Sequence, residues 1–107
     1  TMAICDVLIA VDSVNKDIIA EAIEAVDHTV EECEGHTFFV MKDIEMDLMK
    51  DMSLVSINGA LQELGEQNYS FVRADLLTKT MRITGNPSKF GVKALLTYGE
   101  PKQRPLH

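Results

Sequence analysis

The chain has no tryptophan, and phenylalanine and tyrosine together supply only six aromatic side chains. A stacking platform for single-stranded nucleic acid needs aromatic faces along a basic groove. Tyr69 and Phe71 are the only aromatics near the basic residues of the 69–84 segment, so that class is poorly supplied. Two cysteines, Cys5 and Cys33, are too few for a disulfide framework. A reducing, cytoplasmic compartment is the expectation that follows. No apolar run approaches the roughly eighteen residues needed to cross a bilayer, so no membrane association is expected. The start, TMAICDVLIAV, lacks a basic n-region and carries Asp6 inside its apolar stretch, which argues against a signal peptide. A glycine-rich phosphate loop is also missing. GNPSKFG, residues 85–91, has two glycines and a lysine but joins no strand to a helix in the way that chemistry requires.

What is present is an ordinary globular composition, 46% hydrophobic and 25% charged, in a length that fits one domain. Residues 1–99 are read as that domain. Residues 100–107, with two prolines and little to pack, are read as a mobile tail. The net charge of −7 conceals a split: residues 1–67 hold 15 of the 17 acids and 3 of the 10 bases. Asymmetry of this kind marks either a charged partner or attraction between the two halves.

Ile4 to Val11 form a compact apolar run that reads as a buried strand. Asp12, Ser13 and Asn15 then offer helix caps. Ile19, Ile23, Val26, Val30 and Cys33 recur at spacings of 4, 3, 4 and 3, one face of a helix, with Gly35 as its stop. That reading governs the stretch HTVEECEGH, residues 28–36, where histidine, cysteine and carboxylates crowd together. On a helix, Cys33 falls on the apolar stripe as a buried thiol, and His28 lies about 140° away among carboxylates. No metal site is therefore expected, and no spacing matches a paired zinc pattern.

TFFVMK, residues 37–42, reads as a strand, and DIEMDL, residues 43–48, fits either strand or helix. The methionines clustered between Met41 and Met52 read as core filling. Residues 53–67 have two readings. As a helix, Leu54, Ile57, Leu61 and Leu64 make a stripe closed by Gly65. As a hairpin, Asn58-Gly59 is the turn. The helix is preferred because ALQEL consists of good helix formers. Residues 69–84 and 90–98 read as strands. Phe90, Val92, Ala94, Leu96 and Tyr98 alternate toward the core, with Lys93 outward. In the partner strand Val72, Ala74 and Leu76 are even while Met81 and Ile83 are odd. A bulge or break near Leu77 to Thr80 is needed to reconcile them.

The expected architecture is α+β, in the order β-α-β-α-β-β. Two helices cover one face of a mixed or antiparallel sheet that ends in a long C-terminal β-hairpin. At the level of topology alone this resembles ferredoxin-like and related split folds. Neither catalytic residues nor a cofactor are expected, because no hydroxyl or thiol stands beside a base in sequence. The candidate interaction surface is the basic set Arg73, Lys79, Arg82, Lys89 and Lys93 on the C-terminal hairpin. The leading expectation is a non-catalytic binding or regulatory protein acting as a homo-oligomer through its sheet, or joined to a protein partner. A nucleic-acid-binding regulator using the basic hairpin is the second. A mostly β structural subunit of a larger assembly is the third, tied to the hairpin reading of residues 53–67.

Overall fold

The computed structural model describes residues 3–46 and 52–91. Its elements are β1 (Ala3–Asp12), α1 (Lys16–Ala22), β2 (Thr29–Cys33), β3 (His36–Met46), α2 (Met52–Leu64), β4 (Tyr69–Asp75), β5 (Thr80–Gly85) and α3 (Pro87–Phe90). The five strands form one sheet in the order β2-β3-β1-β4-β5, with every pairing antiparallel. The molecule is α+β, as its composition and periodicity lead one to expect.

β1 lies at the centre, which explains its sequence. Cys5 through Val11 are all buried, so the strand reads as a continuous apolar run rather than an alternating one. Its odd residues Val7, Ile9 and Val11 join Phe39, Met41 and Phe71 under Ile19 and Ile23 at the α1 end and Ile57, Ala60 and Leu61 of α2. Its even residues Leu8 and Ala10 join Phe38, Val40 and Val72 on the other face, where Phe90 of α3 packs. Both longer helices thus cover one face. Each fully buried Ile or Leu of this set contributes about 1.5–3 kcal/mol of burial. Truncating Ile9 or Ile19 to Ala costs roughly 2–5 kcal/mol because the cavity left behind does not close.

One buried charge interrupts β1. Asp6 is 2% exposed, at a point where the register with β3 shifts. Its carboxylate accepts the Asp43 N–H at 2.9 Å and the Lys42 ammonium at 3.2 Å. Asp43 is at φ 54, the left-handed region typical of a bulge. The bulge brings a backbone donor and a cation to a carboxylate that would otherwise be buried without partners.

Several sequence expectations need correction. The first helix ends at Ala22 rather than running to Cys33. Ile19 and Ile23 are buried as its stripe requires, but Val30 and Cys33 belong to β2, whose five residues are all exposed. The reason is the turn that follows. Glu34 and Gly35 have φ of 54° and 83°, the paired positive values of a type I′ hairpin turn between β-rich flanks. Gly35 closes a hairpin, not a helix. The parity conflict in residues 69–84 is a chain reversal: Leu76 to Lys79 form a four-residue loop between β4 and β5. The element order therefore gains a strand over the expected β-α-β-α-β-β. Phe90 lies in α3 rather than in a strand, and the rest of the expected C-terminal strand, Val92 to Tyr98, lies outside the described residues. Residues 53–64 are helical, with Gly65 at φ 89 just beyond and its N–H donating to Leu61 O at 2.9 Å.

Candidate functional site

The sheet order separates the two signs of charge. Among the described residues, β2, with Glu31 and Glu32, is one edge and β5, with Arg82, is the other. Four inter-strand steps put them about 19 Å apart, beyond a Debye length of about 8 Å at physiological salt. Ion pairs among the described residues include Lys16–Glu32 at 3.2 Å, His36–Asp12 at 3.5 Å, Lys42–Asp6 at 3.2 Å and Lys89–Asp12 at 2.8 Å. Of these, Lys89–Asp12 alone joins a base of the C-terminal portion to an acid of the N-terminal one.

The five basic candidates part company. Lys89 sits in α3, pairs with Asp12 and lies 5.6 Å from the centre of the Phe90 ring. It clamps α3 to the end of β1. Lys93 lies outside the described residues. Lys79 ends the β4–β5 loop at φ 60, its N–H donating to Asp75 O at 2.9 Å. Arg73 and Arg82 remain, and the register sets them directly opposite each other on β4 and β5. They occupy the face that Cys5 shares, because Arg73 Nε donates to Cys5 Sγ at 3.3 Å. Arg73 is half-buried and Arg82 exposed. Together with Asp75, Thr80 and Met81 they line an open cavity of about 340 Å³.

Asp75 is the neighbouring carboxylate, and it is engaged elsewhere. One of its oxygens accepts the N–H groups of Leu77 at 3.0 Å and Thr78 at 3.1 Å. The Thr78 N–H is the main reason its pKa lies below the ordinary value. Desolvation opposes this; the Leu77 N–H, the Thr78 hydroxyl and the field of Arg73 add to it. Asp75 thus builds the loop first, and interacts with Arg73 as a smaller effect.

A second constellation lies at the far end of the other face. Asp12 on β1, His36 on β3 and Cys33 on β2 are register partners in one row. Asp12 serves both His36 and Lys89, and the His36 ring meets Phe90 edge-on at 4.8 Å. The cavity beside them, about 310 Å³, is lined by Cys33, Glu34, His36, Phe38, Lys89, Phe90 and Gly91. A helix over residues 28–33 would keep Cys33 inside the core and away from the histidines. The hairpin instead brings Cys33 and His36 opposite each other, with Cys33 exposed. His28 is half-buried, its Nδ1 at 2.7 Å from Val26 O and its ring beside Phe39. Among the described residues no three His, Cys, Asp or Glu side chains converge as a metal set.

Comparison with known protein families, with curated proteins and with solved structures yields no match. Among the described residues, no helix is long and apolar enough to cross a membrane.

Proposed function

We propose that this chain is a non-catalytic binding protein that works as a homo-oligomer joined through the edges of its sheet. The observation that carries the proposal is the opposite charge of the two edge strands. β2 is exposed along its whole length and carries Glu31 and Glu32. β5 exposes Thr80, Met81, Arg82 and Thr84. A strand added to an open edge gains main-chain hydrogen bonds, and side-chain charge selects which strand it is. Pairing β2 with β2 opposes carboxylates, and pairing β5 with β5 opposes arginines. Pairing β5 of one copy with β2 of the next matches the signs. Such a contact is head-to-tail and either closes into a ring or continues. A partner protein offering an acidic strand would meet β5 in the same way. The two thiols, Cys33 exposed and Cys5 buried, are free, which fits a reducing intracellular compartment. The split-fold reading belongs to this proposal too, with β1-α1-β2 and β3-α2-β4 taken as two interleaved units and β5 as an added edge.

Light scattering on a sizing column, at low and high salt, tests it. The expected mass at low salt is a multiple of 11.9 kDa that falls toward one chain as salt rises. A single-chain mass at tens of micromolar in low salt removes the proposal.

The second reading is nucleic-acid contact through the β4–β5 ribbon, favoured by the opposed Arg73 and Arg82. Retention of mixed DNA or RNA on a filter at low salt supports it. The third expectation, a mostly β subunit, rests on a hairpin at Asn58-Gly59, and those residues are helical.

A further inference from the structure

Arginines placed directly across an antiparallel pair repel each other, and a fold gains nothing from that register. The acids of this chain outnumber its bases by 17 to 10. Yet neither Arg73 nor Arg82 takes part in an ion pair among the described residues. Arg73 uses one of its five N–H donors on Cys5 Sγ, which holds the guanidinium over β1. Asp75 lines the same cavity and feels the field of Arg73, while one of its oxygens is committed to the Leu77 and Thr78 N–H groups. Thr80 brings its hydroxyl to the same cavity, where it contacts the Thr78 hydroxyl at 2.7 Å.

We propose that the cleft between Arg73 and Arg82 is a binding site for a phosphate monoester. Two guanidinium groups side by side, with the Asp75 carboxylate at the margin of the cleft, leave a net positive lining that attracts a doubly charged anion more than a singly charged one. A monoester carries about −1.5 to −2 at neutral pH. A phosphodiester or a carboxylate carries only one. Guanidinium forks match the oxygen spacing of a phosphate, and an ammonium does not. The Thr80 hydroxyl adds a neutral donor. Arg73 lies one strand inboard of β5, but Arg82 also stands on the β5 edge, so phosphate binding is measured at a dilution where the chain runs at a single-chain mass.

The test is a titration of the full chain followed through the Arg73 and Arg82 Nε–H signals by NMR. Inorganic phosphate and phenyl phosphate are expected to shift both signals saturably in the millimolar range. Dimethyl phosphate and acetate are expected to bind about tenfold more weakly. Arg73→Lys, which keeps the charge and loses the fork, and Arg82→Ser should each weaken phosphate binding about tenfold. Binding should also fade below about pH 6, as the phosphate gains its second proton. Phosphate should raise the melting temperature of the wild type and not of the variants. At a dilution where the chain runs at a single-chain mass, Arg82→Ser alone should melt no lower than wild type, since it removes a repulsion within the chain. A clear fall would mark Arg82 as structural and overturn the proposal. So would the absence of a saturable shift, an unchanged affinity in Arg73→Lys, or equal binding of the diester. A phosphoserine peptide and a sugar phosphate then divide the sources of the monoester: the tighter of the two identifies the carrier, and failure of both to bind overturns the assignment.

Discussion

The β2–β3 hairpin turns in two residues and the β4–β5 hairpin in four. The first is set by backbone groups: Glu34 and Gly35 both take positive φ, the Ser13 N–H donates to Gly35 O at 2.8 Å, and nothing lies within 4 Å of where a Gly35 Cβ would sit. The second is set by side chains and close approach. Asp75 gathers the loop N–H groups, Lys79 takes φ 60, and Gly85 lets Tyr69 in so closely that a Cβ there would collide with the Tyr69 carbonyl oxygen and ring. Tyr69 O in turn accepts the Asn86 N–H at 2.7 Å. One hairpin presents an acidic edge whose turn glycine stands in open space, tied to the body through Ser13 and Lys16; the other presents a basic edge whose glycine is closed in by Tyr69. A recognition surface that must hold two arginines in register belongs on the second.

The thiols give the largest expected contrast. If β2 is an open edge, Cys33 should react with Ellman's reagent at the rate of an unprotected thiol. Cys5, fully buried in the central strand, should react slower by about a thousandfold or more, because it opens only with the fold. Equal protection of both would mean that β2 is covered in solution, as in the proposed assembly. Repeating the measurement at high salt separates assembly from a buried edge.

The glycines test the hairpins directly. Gly85→Ala should cost roughly 3 kcal/mol or more, since the atom it meets is backbone and its φ is +91. That corresponds to a fall of about 12 °C or more in melting temperature. Gly35→Ala should cost only about 1–2 kcal/mol, the strain of a left-handed residue in open space. Comparable losses at the two sites would dissolve the distinction between a closed-in and an open turn glycine.

Gly59→Ala is smaller and opposite in sign. Gly59 lies inside α2, and a methyl group at that position would meet nothing within 4 Å. Alanine should stabilise by up to about 1 kcal/mol. A loss there would contradict the helix.

These glycines also show how far local sequence signals carry. Asn58-Gly59 has the strongest hairpin signal in the chain and lies in a helix. Glu34-Gly35 looks like a helix stop and is a hairpin turn. In each case the flanks decide: ALQEL supplies helix formers, while TVEEC and HTFFV supply β-branched and aromatic residues. The spacing of Ile19, Ile23, Val26, Val30 and Cys33 misleads because a stripe of five hydrophobics can be divided between a short helix and an edge strand. The basic candidates are legible as residues but not as a pair. Their opposition is implied in the parity change between Val72, Ala74 and Met81, Ile83. Register partners across a four-residue loop have opposite parity, so the conflict encodes a reversal. The engagement of Lys89 by Asp12 cannot be read, because it joins residues 77 apart in sequence.

The smallest effect concerns Asp75, which distinguishes the two hairpins by pH. Its folded pKa lies below its ordinary value of 3.8, chiefly through the Thr78 N–H. A depressed carboxylate contributes stability that is fully present above the unfolded value and is lost as pH falls through the folded one. The β4–β5 loop should therefore weaken only below about pH 4, and the β2–β3 turn, which uses no carboxylate acceptor of this kind, should not follow it. Asp75→Ala should lower stability slightly at neutral pH, and its deficit against wild type should shrink in acid, where the wild-type carboxyl is protonated. Asp75→Asn, which keeps an oxygen acceptor without the charge, should fall between them. Urea midpoints measured across this acid range decide it. A deficit that stays constant with pH would mean that the carboxylate charge does not hold the loop, and the hydrogen bonds to Leu77 and Thr78 would then act through geometry alone.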